Sequence, residues 1–92
     1  MIRSFKDRNT RRFFEGYRVK TFEGFSVQAE RRLVYLDNAE TLKDLSELSS
    51  NRLEYLSGDR VGQYSIRINR QWRICFRWED DGPYEVEIVD YH

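Results

Sequence analysis

Residues 64–77 carry the sequence pattern that most restricts how this chain folds. The stretch, YSIRINRQWRICFR, has an apolar residue at every second position on either side of a short polar break. Alternation with a period of two predicts half-buried β-strands, and the three-residue break at 69–71 predicts a hairpin loop. One face of this hairpin is then apolar, and the other carries arginines. We expect a functional site on the arginine-bearing face.

The predicted hairpin places two arginines opposite each other. A three-residue loop pairs Arg67 with Arg73, and directly opposite side chains in an antiparallel pair have Cβ atoms roughly 4.5–5.5 Å apart. Two guanidinium groups at that separation repel each other unless an anion lies between them. Their nearest neighbours on the same face, Ser65 and Cys75, are not acidic, so a phosphate is the obvious external candidate. The pattern alone fits solvated surface arginines equally well.

A third strand is predicted from residue 84 to the C-terminus, after the turn-forming sequence EDDGP. A register that pairs residue 78 with residue 84 gives these cross-strand partners: Arg77 with Glu85, Cys75 with Glu87, and Arg73 with Val89. The first of these is expected to be an ordinary ion pair. The same register places Tyr91 diagonal to Arg73, so that Arg67, Arg73 and Tyr91 converge on the polar face. Trp72 and Trp78 have the parity of the apolar face and are expected to pack in the core.

Helices are predicted in the first half of the chain. The clearest runs from Ser26, a good N-cap residue, to about Asn38, because apolar residues recur within it at helical spacing. A shorter helix is expected after Thr41, which is followed three residues later by an acid, as in a capping box. Asn9 or Thr10 is expected to cap another short helix. Helices that precede an antiparallel meander predict an α+β fold, with the helices packed on one face of the sheet.

Length and composition narrow the class of protein further. The chain has 92 residues, which predicts one domain over residues 1–92 with one modest core. Its single cysteine makes neither a disulfide nor a cysteine metal cluster. It has no long uncharged apolar run and no secretory signal pattern, so we expect a cytoplasmic protein without a membrane partner.

The stretch LSGDRVGQYSIRINRQWRICFRW, followed by EIVDYH at the end of the chain, resembles the HigB-type toxins of the RelE/ParE superfamily. The resemblance covers nearly the whole sequence. It implies a small RelE/ParE-like α+β domain and an endoribonuclease that cuts mRNA in the ribosomal A site, so that translation is inhibited. It also implies a cognate HigA-like antitoxin with a helix-turn-helix fold. Operator DNA is then contacted only through the toxin–antitoxin complex.

The resemblance also implies roles for individual residues. The arginine in QWR, Arg73, matches the family arginine that contacts the scissile phosphate. The terminal residues match the catalytic cluster of the family: Asp90, Tyr91 and His92. Arg67 is expected to be a second phosphate ligand. Ser57 departs from the family pattern, because some HigB toxins have an active-site lysine there, and Arg60 or Arg67 is then expected to substitute for the missing ammonium.

These residues predict a reaction without a metal or cofactor. A ribose 2′-OH attacks the adjacent phosphate, and an acid and a base move the protons. His92 is the best acid or base, Asp90 orients it or serves as its complement, and Tyr91 stacks on a base or bonds the phosphate. Two other functions stay open: a ParE-like inhibitor of gyrase, which does not need the terminal histidine, and a catalytically weakened binding module.

The overall charge of zero hides a basic N-terminal region. Residues 1–20 carry seven Arg or Lys side chains against two acids, a local charge of +5. General nucleic-acid binders are usually basic overall, so contacts with nucleic acid have to be local here. The region from Lys6 to Lys20 is expected either to contact ribosomal RNA or to complement an acidic antitoxin surface.

Overall fold

In the computed structural model, residues 1–90 are described, and the predicted catalytic residues Tyr91 and His92 lie outside the described residues. The elements are, in chain order, α1 (Arg8–Phe14), a 3-10 helix (Lys20–Phe25), α2 (Ser26–Asn38), α3 (Leu42–Ser46), a 3-10 helix (Ser49–Asn51), β1 (Glu54–Tyr55), a 3-10 helix (Gly58–Arg60), β2 (Tyr64–Arg67), β3 (Trp72–Glu79) and β4 (Gly82–Asp90). The strands form one antiparallel sheet in the order β1-β2-β3-β4. The predicted α+β architecture is confirmed.

The central hairpin has the predicted register. Arg67 pairs with Arg73 and Ile66 pairs with Ile74. The apolar face of the hairpin packs on α2, which contributes Ala29, Leu33 and Leu36 to the core. Trp72 and Trp78 pack against the same core, as their parity predicts.

The predicted register between β3 and β4 is correct in one half and wrong in the other. Arg73 pairs with Val89, and Cys75 pairs with Glu87, as expected. The ladder then shifts by one residue between Cys75 and Arg77, so that Arg77 pairs with Tyr84 rather than with Glu85. Glu85 has a φ of 54°, and such a residue within a strand is typical of a β-bulge. The strands also continue closer to the turn than EDDGP suggested, because Glu79 already pairs with Gly82.

The expected ion pair between Arg77 and Glu85 is present despite the shift in register. Nε of Arg77 lies 2.6 Å from Oε2 of Glu85, and Nη1 of the same arginine lies 3.1 Å from Oε2 of Glu79. Both carboxylates are well exposed, so the pair contributes little to stability.

Two of the predicted helix caps are wrong and one is confirmed. The cap of α1 is Asp7, whose Oδ2 accepts from the backbone N–H of Thr10. Thr10 is instead buried, and its hydroxyl oxygen accepts from the N–H of Ile88 in β4 at 3.0 Å. Ser26 is the first residue of α2, and no side chain caps that helix. The capping box at Thr41 is present in full.

The N-terminal arm follows the outer edge of β4. Phe5 forms a parallel bridge with Val86, and backbone hydrogen bonds join residues 3–6 to residues 83–86. This arm brings the start of the chain beside the strand that ends in Asp90. Within residues 1–90, no helix is long and apolar enough to span a bilayer.

Candidate active site

Arg73 is held firmly on the polar face of the sheet. Only 8% of the residue is exposed. Its Nε donates to Oγ of Ser65 at 2.7 Å, and its Nη2 donates to the backbone oxygen of Arg52 at 2.7 Å. Arg52 adopts a left-handed conformation, with a φ of 46°, and this turn directs its carbonyl to the guanidinium. A buried cation with charge-assisted hydrogen bonds has little freedom to rotate, so Arg73 is a preorganised group rather than a solvated surface arginine.

Strand β1 adds an acid to this site that the sequence pattern did not reveal. Glu54 pairs with Ser65, and its Oε1 lies 3.6 Å from Nη2 of Arg73. About half of the Glu54 side chain is exposed. The alternation pattern identifies only Ser65 and Cys75 as neighbours of the two arginines on this face, and it therefore misses Glu54. The backbone hydrogen bond from Leu56 to Gln63 sets this pairing, but β1 has only two residues and leaves no periodic pattern in the sequence.

Arg67 does not share the contacts of Arg73, although the two residues are cross-strand partners. Its Nε donates to the backbone oxygen of Asn69 at 3.1 Å, on the loop side of the hairpin. Arg73 contacts Ser65 on the opposite side. The two guanidinium groups are therefore fastened in different directions, which lowers their mutual repulsion without requiring an anion between them.

Arg60 lies farther along the same face and is joined to a buried carboxylate. Its Nη1 donates to Oε1 of Glu87 at 2.7 Å and to the amide oxygen of Gln63 at 3.0 Å. Lys6 approaches the same Glu87 oxygen at 3.8 Å. This arrangement fixes Arg60 in place, but it also partly neutralises the charge that a phosphate would use.

Cys75 is fully buried below this group and pairs with Glu87. Burial is the main factor that raises the pKa of the thiol above its ordinary value, and the nearby cations oppose the effect only in part. A protonated, enclosed thiol is a poor nucleophile, so Cys75 has no place in the chemistry.

Of the remaining predicted site residues, the structure describes Asp90 and Ser57 but not the last two residues of the chain. Asp90 ends β4 opposite Trp72, and its Oδ2 accepts from the amide nitrogen of Gln71 at 2.9 Å. Ser57 is exposed and caps no helix through its side chain. Tyr91 and His92 lie outside the described residues, so their predicted roles stay predictions.

The described part of the site brings a rigid cation and one half-exposed carboxylate together, because Glu54 approaches Arg73 from β1. Asp90 pairs with Trp72 and therefore has the parity of the apolar face, opposite to that of Arg73. A fixed guanidinium stabilises negative charge on a phosphate, and a carboxylate accepts a proton. Within residues 1–90, no three His, Cys, Asp or Glu side chains lie close enough together to hold a metal ion; the metal-free reaction stays a prediction.

Comparison with known proteins places this chain in a family. The model of the HigB-like toxins, described as the RelE-like toxin of the type II toxin–antitoxin system HigB, matches residues 3–92. Toxin HigB-1 of Vibrio cholerae serotype O1 (strain ATCC 39315 / El Tor Inaba N16961) is 35% identical over 82 residues, which cover 87% of this chain and 86% of that protein. Endoribonuclease HigB of Proteus vulgaris is 31% identical over 93 residues and is covered completely, as is this chain.

Solved structures support the same fold. A YoeB–YefM complex from Staphylococcus aureus contains a chain that matches all of this one with a TM-score of 0.58 at 17% identity, and 98% of that chain is covered. The YoeB dimer from the same organism matches 99% of this chain with a TM-score of 0.58 at 20% identity, with 94% of that chain covered. At these identities the likeness concerns the fold alone.

Proposed function

The chain belongs to the HigB-like family, the RelE-like toxins of type II toxin–antitoxin systems, and we propose that it is an endoribonuclease that cleaves mRNA and thereby inhibits translation. A relative that matches along its whole sequence is named an endoribonuclease. The RNA is cut in the ribosomal A site, in the cytoplasm.

The anchoring of Arg73 is the single observation that carries this proposal. Its Nε and Nη2 make all of the contacts described above, and within residues 1–90 its Nη1 has no hydrogen-bond partner. Nη1 is not among the fully enclosed polar atoms. The guanidinium is thus immobilised by one edge and keeps a donor for a ligand at the other. This is what stabilisation of a phosphorane requires, because donors that are already oriented need no reorganisation during the reaction.

The reaction is attack of a ribose 2′-OH on the adjacent phosphate. A base removes the 2′ proton, the P–O5′ bond breaks as the 2′ oxygen bonds to phosphorus, and an acid protonates the leaving 5′ oxygen. The products are a 2′,3′-cyclic phosphate and a free 5′-OH. Arg73 stabilises the charge that develops on the nonbridging oxygens, and Arg67 assists through the guanidinium nitrogens that Asn69 leaves free.

The proton transfers are assigned to the carboxylates and the terminal histidine. His92 is the only side chain in the sequence with an ordinary pKa near neutrality, and it serves as the general acid. Glu54, which approaches the Arg73 guanidinium, is the proposed base. Asp90 either orients the histidine or serves as the base in place of Glu54. Tyr91 stacks on a base or donates to the phosphate. Arg60 supplies the positive charge of the lysine that some HigB toxins have at the position of Ser57, although its ion pair with Glu87 partly neutralises that charge.

Membership of this family also implies that the protein binds an antitoxin. A toxin of a type II system is neutralised by an antitoxin, and a HigA-like protein with a helix-turn-helix fold fits this role. Operator DNA is bound through that complex rather than by the toxin itself.

Mapping of mRNA ends after expression without the antitoxin tests this function. Wild type, Arg73→Lys and His92→Gln are compared by primer extension, with Lys43→Glu as a matched surface control because Lys43 is exposed on α3, apart from the site. New mRNA ends are expected for wild type and the control, and far fewer for the two site variants. Growth arrest without new ends would refute the ribonuclease function and favour a gyrase-type target. Equal cleavage by both site variants would refute the residue assignment.

A further inference from the structure

The face formed by α1 and α2 carries an unusual share of the exposed apolar side chains. Eight large hydrophobic residues are exposed among those described, and four of them lie on this one face: Phe14, Tyr17, Val27 and Val34. Exposed apolar side chains scattered singly are ordinary, but a contiguous group marks an interaction surface. The face has no role in the reaction proposed above.

Two adjoining depressions make this face a groove. One has a volume of about 330 Å³ and lies between the two helices, lined by Phe13, Phe14, Tyr17, Leu33 and Val34 together with Gly16 and Glu30. A shallower one continues along α2 from Glu30 and Val34 to Val27. Exposed fractions of 55% for Tyr17 and 46% for Val34 show that no part of residues 1–90 covers the groove.

A basic pocket continues the groove at its other end. This pocket, of about 610 Å³, lies between the N-terminal arm and α1. Phe14 lines both this pocket and the 330 Å³ depression between the two helices. Its four cations are Arg3, Lys6, Arg8 and Arg11, against Asp7 and Glu15. Four cations against two acids leave the pocket with a net charge of +2.

Two of these cations are available for a partner. Arg3 pairs with Asp81, and Lys6 approaches Glu87. Within residues 1–90, the side chains of Arg8 and Arg11 make no hydrogen bond or ion pair. Arg8, Arg11 and Phe14 follow one another at three-residue spacing along α1, and residues three apart are neighbours on a helix surface. Unpaired positive charge therefore leads directly into the apolar groove.

We infer that this face, the α1–α2 groove together with the adjoining basic pocket, is the docking surface for an antitoxin segment that is apolar on one side and acidic at one end. The inference rests on the proposed function for the identity of its partner. An apolar side chain of the segment fills the groove beside Phe14 and Val34, and its acids meet Arg8 and Arg11. A protein fits better than RNA, because the aliphatic lining from Leu33 and Val34 to Val27 offers nothing to a phosphate backbone.

Binding of the purified antitoxin encoded beside this chain tests the inference. Affinity is measured by calorimetry in the absence of RNA, so the result does not depend on whether the toxin cleaves RNA. Val34→Glu and the double variant Arg8→Glu/Arg11→Glu are each expected to weaken binding about tenfold or more, because an unpaired or like charge at an interface is costly. The matched controls are Leu48→Glu, at an apolar residue of similar exposure (42%) outside the groove, and Lys43→Glu.

Second measurements separate the possible occupants. Circular dichroism establishes that each variant is folded, and mRNA cleavage is expected to stay at the wild-type level in all of them. The affinity of the double variant should also depend less on salt, because the arginine contacts are screened. Antitoxin affinities that match wild type would overturn the inference. Unchanged antitoxin binding with weakened ribosome binding would assign the face to RNA, and toxin self-association that Val34→Glu abolishes, again with unchanged antitoxin binding, would assign it to a second copy of the chain.

Discussion

Replacing Arg73 by lysine tests whether the site arginine is held as tightly as its contacts indicate. The substitution keeps the positive charge but removes the fork that reaches Ser65 and Arg52 together at 2.7 Å each. An ammonium is a compact donor and retains at most one of these two contacts. A hydrogen bond to a charged group contributes about 1.5–3 kcal/mol, so we expect the free energy of unfolding to fall by about that amount.

This loss is large for a chain of 92 residues. Domains of this length have unfolding free energies of about 5–14 kcal/mol. With a urea dependence of about 1 kcal/mol per molar, the unfolding midpoint should fall by about 1.5–3 M. Tryptophan fluorescence is a suitable assay, because Trp72 and Trp78 both pack against the core.

The same variant is expected to cleave RNA about 10²–10³-fold more slowly, as when one oriented donor to a transition state is removed. Thr10→Val is the matched control for stability. It leaves the buried N–H of Ile88 without its acceptor, which costs about 1–3 kcal/mol, and Thr10 lies outside the candidate site. This control should therefore cleave normally under conditions in which it is folded. A midpoint for Arg73→Lys equal to that of wild type would refute the anchoring argument, and normal cleavage would refute the phosphate role.

Four further changes probe other parts of the molecule. His92→Gln should lower RNA cleavage by about 10²–10⁴-fold if the histidine is the general acid, as measured by single-turnover cleavage on programmed ribosomes; an unchanged rate would exclude it. Glu54→Gln should lower the rate with little change in the unfolding midpoint, because the Glu54 carboxylate is half exposed and lies 3.6 Å from the guanidinium, and such a pair contributes at most about 1 kcal/mol; an unchanged rate would assign the base to another group. The backbone N–H groups of Glu40 and Thr41 donate to the Asp44 carboxylate and hold its pKa below the ordinary value. The stability that these hydrogen bonds contribute is present above the unfolded-state pKa and is lost as the pH falls through the folded-state pKa. Urea titrations across that range should therefore find Asp44→Asn less stable than wild type at neutral pH and equally stable in acid. Gly82→Ala should destabilise the fold by at least about 1 kcal/mol, because Gly82 has a φ of 130° and a Cβ there would lie 2.5 Å from the backbone oxygen of Met1; thermal unfolding measures this change, and an unaltered melting temperature would contradict it.

The central hairpin was predictable because its constraints are local. Alternation between Tyr64 and Arg67 and again from Trp72 onward fixes which side chains face the core, and the loop length fixes the register. The pairing of Arg67 with Arg73 follows from those two facts alone. The capping box at Thr41 was predictable for the same reason, since all of its atoms lie within four residues.

The parts that were not predictable depend on contacts between distant segments. The bulge beside Arg77 inserts one residue, and alternation carries no signal for such an insertion. The Asp7 cap displaced the expected one because Thr10 is drawn into the interior by the N–H of Ile88, which lies in the last strand. Glu54 reached the site through a strand of only two residues, too short to produce a periodic pattern. Local sequence thus specified the position of Arg73, and the tertiary structure supplied the groups that hold it.

The path of the N-terminal arm also bears on how this protein associates with others. Exposed strand edges are templates for a further strand, and long free edges promote aggregation and domain swapping. Here the arm occupies the β4 edge through its hydrogen bonds to residues 83–86, and the opposite edge is β1, with two residues of which one is charged. Within residues 1–90, the sheet is therefore a poor acceptor for an added strand. We therefore expect a protein partner to recognise side chains on the faces of this protein rather than to extend its sheet, and side chains, unlike backbone groups, differ between related proteins and so allow one partner to be distinguished from another.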